Sequence, residues 1–121
     1  LGEETEFFWR LTSSGQKITY EPKAVVLHPV PPQRQTMKYF RAYYFEQGRT
    51  QSYLQGLPKK AVFYCGVPRY LFRQLITAFL KYMVTFDRRR RFYWQIEVCR
   101  AAGQIVEMRR LSAKRVAKPG A

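Results

Sequence analysis

Cysteine and histidine are scarce in this chain, with two of the first and one of the second. Cys65 and Cys99 stand apart, with no Cys-x-x-Cys pair and no Cys/His spacing, so a zinc ribbon or a disulfide framework is excluded. Both are expected to be reduced, half-buried thiols. Carboxylates are few as well: eight against 22 lysines and arginines, for a net charge of +14. No uncharged apolar run reaches the roughly 18 residues a spanning helix needs. No stretch reads as a secretory leader and no internal repeat occurs. With 121 residues there is room for one small core.

What the chain does have is aromatic surface and positive charge. Nine tyrosines, nine phenylalanines and two tryptophans bring much apolar area with polar tips that favour an interface. The charge is uneven. Residues 1–33 hold Arg10, Lys17 and Lys23 against Glu3, Glu4, Glu6 and Glu21, so the whole positive excess follows them. This predicts a near-neutral first third and a basic body suited to phosphates.

Along the chain, residues 3–14 read as a short helix. Glu3, Glu4 and Glu6 fall where a helix dipole favours anions, Phe7, Phe8 and Leu11 share a face, and Gly15 stands at the C-cap. KITYEP and KAVVLHP, each ending at proline, predict two short extended segments joined around Glu21-Pro22. Residues 29–33, PVPPQ, form a stiff connector. Helical spacing of Met37, Phe40 and Tyr44 predicts a helix over 34–55 with a break at Gly48. Residues 56–67 read as a linker. Pro68 opens the strongest helix, in which Arg69, Arg73, Thr77 and Lys81 make a narrow stripe beside a wide apolar arc. The run Arg88, Arg89, Arg90, Arg91 precedes another amphipathic helix over 92–111, and a basic, frayed tail follows.

The order of motifs over residues 1 to about 55 resembles the C-terminal part of inverting glycosyltransferases of family 2, which have the GT-A fold. The residues that carry it are Gly2, Glu3, Glu6, Arg10, Leu11 and Gly15, then Tyr20, Pro22, Ala24, Val26 and His28, then Tyr39, Phe40, Arg41, Tyr44, Gly48 and Arg49. The later basic helices look like the tails of many bacterial members. The resemblance implies transfer of a sugar from a nucleotide-sugar donor to a saccharide or lipid-linked hydroxyl acceptor. It assigns Glu4 the place of the general base, with Glu3 supporting the acceptor site. The family usually carries aspartate at that place, and glutamate reaches one methylene further, so the acceptor sits differently. Three glutamates that merely favour a helix N-terminus are the competing reading.

The resemblance also implies a divalent metal, Mg or Mn, held chiefly by an upstream Asp-x-Asp, with His28 able to approach it and Arg34, Arg41 and Arg49 able to reach the diphosphate. No Asp-x-Asp occurs here, nor the βαβ alternation of a donor domain. The expectation is therefore a C-terminal fragment: 1–55 from the catalytic domain, 56–67 a linker, 68–121 a basic helical tail. It is expected to be inactive alone and to need no cofactor itself.

The expected fold class is α+β, mostly helical, with two short extended segments followed by amphipathic helices. For the basic half, three readings stand. Arg69, Arg73, Lys81 and Arg88–Arg91 beside an apolar arc suit an anionic membrane surface, which places the protein in the cytoplasm on the inner face of the cell membrane. The two helices could instead form a hairpin that packs on itself or in a homo-oligomer. Nucleic-acid binding comes last, because no recognised motif accompanies the charge. The alternative to a glycosyltransferase is a non-catalytic basic helical module that binds a membrane or a protein partner.

Overall fold

The computed structural model describes residues 3–117. Helix α1 spans Glu3–Ser13. It ends as its sequence demands: Gly15 takes φ +81°, its N–H donates to Thr12 O, and the Gln16 N–H reaches back to Leu11 O at 3.1 Å. This is a Schellman cap, closed by the one residue type that adopts that backbone without strain.

The two extended segments expected after it do not form strands. A turn at Glu21–Ala24 separates them, with the Ala24 N–H donating to Glu21 O and the Lys23 N–H to the Glu21 carboxylate. Tyr20, Val26 and Leu27 are all more than four-fifths exposed. A β-branched run becomes a strand only where a neighbour takes its backbone hydrogen bonds, and among the described residues none does.

A 3-10 turn over Pro32–Gln35 leads to Thr36, whose hydroxyl accepts the Tyr39 N–H and caps α2, Met37–Gln55. The helix therefore starts three residues later than the periodicity suggests, and it runs through Gly48 without a break. The expected linker contains a hairpin. Strands β1, Phe63–Tyr64, and β2, Val67–Pro68, pair antiparallel with Phe63 opposite Pro68 and Tyr64 opposite Val67. Cys65 and Gly66 form the turn, both with positive φ, as tight hairpin turns require. Cys65 is thus exposed rather than half-buried, whereas Cys99 is intermediate as expected.

Pro68 caps helix α3, Arg69–Val84, rather than opening it. Helix α4 is longer than expected, Arg88–Ala117: the arginine run is its first turn, and part of the basic tail is its last.

Helix α4 is the centre of the molecule. It packs extensively against α2 on one side and α3 on the other, while α2 and α3 touch each other little. The helices form a layer rather than a closed bundle, and α2 belongs to the same packed unit as α3 and α4. Leu71 of α3 and Met108 of α4 meet Val67 in a small core, bordered by Leu57, Phe72 and Ile105.

The α2–α4 contact is closer than side chains normally permit. A Cβ on Gly48 would sit 2.1 Å from the Arg100 carbonyl oxygen, and one on Gly103 2.0 Å from that of Phe45. The glycines let two backbones touch, which explains Gly48 in mid-helix. Beyond this crossing lies a polar seam. Glu107, with a buried carboxylate, accepts from Arg110 and, at 3.4 Å, from Arg49 Nε. The Ser52 hydroxyl donates to Gln104 O, and the Gln104 amide to Gln51.

Candidate functional site

The acidic cluster comes first in the chain. Glu4 is exposed at the start of α1; the side chain of Glu3 lies outside the described residues. Glu6 pairs with Arg10 one turn on, at 3.0 Å, which is ordinary helix stabilisation. His28 is exposed in the irregular segment before α2. Among the described residues no three His, Cys, Asp or Glu side chains form a metal-holding group. A lone exposed imidazole does not by itself make a divalent-metal site, and the resemblance assigns the chief ligands to an upstream Asp-x-Asp rather than to these residues.

The three arginines assigned to a diphosphate are not brought together. Arg34 is exposed in the 3-10 turn. Arg41 and Arg49 lie on α2 about 12 Å apart along its axis. Arg49 is engaged structurally: its guanidinium donates to both Glu46 oxygens, at 3.0 and 3.2 Å, and to Glu107. Those hydrogen bonds and charges, Glu46 first, hold its pKa above the ordinary arginine value.

The basic run gives the most developed site. Asp87 caps α4: its carboxylate accepts the Arg90 N–H and its carbonyl the Arg91 N–H, both at 2.8 Å. The turn of the helix then divides the run. Arg88, Arg89 and Arg91 line one cleft of about 470 Å³ together with Arg41 from α2, while Arg90 lines another of about 570 Å³ beside Phe86 and Trp94. In the first cleft the Arg91 guanidinium lies over the Tyr82 ring of α3, 4.9 Å from its centroid. The Gln95 amide, oriented with its oxygen toward Arg41, accepts from Arg41 Nε at 3.3 Å and Nη2 at 3.1 Å. Met37 and Phe92 line the rest, and no lining residue is acidic.

This convergence was only partly readable. The run itself and Arg41 stand out in the sequence, but Gln95, Tyr82 and Met37 carry no signal of their own. Asp87 before four arginines is an N-cap pattern that points to a helix start at residue 88.

Of the other basic residues assigned to a membrane surface, Arg69 and Arg73 are exposed on α3, and Lys81 sits over the Trp94 ring at 4.4 Å. The apolar arc beside them is open: Ile76, Phe79, Leu80, Met83 and Val84 are all exposed. Among the described residues no helix is long and apolar enough to cross a membrane. Compared with known proteins, the chain matches no family model, no curated protein and no solved structure.

Proposed function

We propose that the chain is the acceptor-side, C-terminal part of an inverting, GT-A-type glycosyltransferase. What carries the reading is the ordered set of residues from Gly2 to Arg49 described above. It is supported by the state of residues 16–30, whose apolar side chains lie bare, as expected for segments whose neighbours belong to another body. In this reading that body holds the nucleotide sugar, and the metal is bound there rather than at His28. The acceptor oxygen forms its bond to the anomeric carbon on the face opposite the diphosphate. The bond to the diphosphate breaks, its electron pair leaves with that group, and the hydroxyl proton passes to Glu4.

Two measurements test this. In the whole polypeptide encoded by the gene, Glu4→Gln lowers sugar transfer by about 10²–10⁴-fold, while Glu4→Asp retains activity. Undiminished transfer by Glu4→Gln would remove Glu4 from the chemistry. For the 121-residue chain alone, calorimetric titration with UDP- or GDP-sugars and Mn²⁺ yields no specific binding. Micromolar affinity would overturn the idea that the donor half lies elsewhere.

A second reading concerns the helices, and the open apolar face of α3 favours it. We propose that this face, edged by Arg69 and Arg73, rests in an anionic leaflet on the cytoplasmic side. In liposome flotation the chain rises with phosphatidylglycerol vesicles and not with phosphatidylcholine ones, and Phe79→Glu with Met83→Glu abolishes it. Flotation unchanged by those substitutions, or a stable dimer that buries the face instead, would sink this reading.

A further inference from the structure

The cleft between α2, the end of α3 and the start of α4 has features that neither proposal uses. Four arginines, Arg41, Arg88, Arg89 and Arg91, line it from two helices with no acidic residue among its lining. The acidic groups nearest in sequence are engaged elsewhere: Glu46 with Arg49, Glu97 with Arg100, Glu107 with Arg49 and Arg110, and the Asp87 carboxylate with the Arg90 N–H. Placement of the arginines is unfavourable for the helix itself. The first turn of α4 holds no acidic residue and four cations, where the macrodipole favours anions. Yet two of the four side chains are held in place. Arg41 donates to Gln95, and Arg91 is stacked on Tyr82. A cluster of like charges with two members held in place and no carboxylate among them is the arrangement that an anion completes.

We propose that this cleft binds a phosphate ester. The oxygens are taken by Arg41 and Arg88 with help from Arg89 and Arg91, and the adjoining carbon group rests on Met37 and Phe92. The apolar lining from Met37 and Phe92 beside the arginines suits a phosphoryl group with an apolar neighbour better than a bare inorganic anion. Both a lipid phosphate and a soluble phosphate ester carry that chemistry. The proposal does not depend on glycosyl transfer. It also differs from simple attraction of a polybasic run, because Arg41 lies on another helix 47 positions before Arg88.

The test uses the 121-residue chain with two probes at matched ionic strength: glycerol 3-phosphate in solution, and phosphatidylcholine vesicles doped with phosphatidic acid. The readouts are the thermal midpoint with the soluble probe and co-sedimentation with the vesicles. Arg41→Gln, at an exposed side chain, weakens binding about tenfold, the loss of one charge-assisted hydrogen bond. Arg88→Gln does the same, while Arg109→Gln, which removes equal charge outside the cleft, changes it less than about twofold. Binding of both probes marks the phosphoryl group as sufficient; binding of the vesicles alone marks a lipid as the source. In either case the Arg41 dependence is the supporting result. Equal effects of Arg41→Gln and Arg109→Gln, or no preference for phosphate over chloride, would overturn the proposal. Soluble binding without vesicle binding leaves the cleft standing and removes the membrane reading.

Discussion

At the scale of single residues, the most demanding positions are the two glycines of the α2–α4 crossing. Each faces a backbone carbonyl, which cannot rotate aside as the end of a flexible side chain can. Gly48→Ala and Gly103→Ala must therefore push the helices apart, and each is expected to cost about 3 kcal/mol, the upper part of the overpacking range. Urea unfolding checks this; a loss below about 1 kcal/mol, near the low end of that range, would mean that the helices adjust readily. The two cysteines separate at the same scale. Burial pushes the Cys99 thiol up from its ordinary value, with the Arg41 charge acting the other way, while Cys65 is exposed in a turn. As pH rises through 8 to 9 the Cys99 thiolate fraction lags that of an ordinary thiol. Iodoacetamide should then label Cys65 at least about tenfold faster than Cys99 when followed by peptide mass spectrometry. A raised native pKa also means that ionisation of this thiol costs stability as pH climbs above the unfolded value, never below it.

At the scale of elements, what was legible follows from which forces act locally. The Glu-rich start and Gly15 cap of α1 are local devices, and the helix ends within one residue of the expected place. Gly48 misleads because helix propensity speaks only of the isolated strand of chain, whereas its value here lies in contact with α4, more than 50 residues on. The valine-rich segment 24–27 misleads for the related reason that strand formation is a property of pairs. For the candidate site, the arginine run was legible as charge, but its division between two clefts follows from the start of α4 at residue 88. Asp87 sets that start. Asp87→Ala removes both the cap and the single anion next to four arginines, so α4 should lose about 1–2 kcal/mol and fray through the run. Faster amide exchange confined to residues 88–92, with the rest of α4 protected, is the expected signature. Unchanged exchange there would show that packing of Arg91 on Tyr82 holds the turn without its cap.

At the scale of the whole molecule, residues 3–31 and 32–117 are supported differently. The helices α2, α3 and α4 share buried contacts through Leu71, Met108, Ser52 and the glycine crossing, whereas α1 has no extensive packing partner among the described residues. Its aromatic side chains Phe7, Phe8 and Trp9 are about half exposed. Deleting residues 1–31 therefore removes few contacts from the helical layer and should change its unfolding free energy by no more than about 0.5 kcal/mol, the range of surface changes. Solution behaviour should shift more. An uncovered aromatic helix promotes self-association, so sedimentation is expected to show the full chain associating with concentration more strongly than the version lacking residues 1–31. If the deletion instead lowers stability by several kcal/mol, α1 is held against the layer in solution, and residues 1–31 are a working part of this unit. If association is unaltered, the open face of α3 is the sticky surface, and the apolar side chains from Ile76 to Val84 are the next to change.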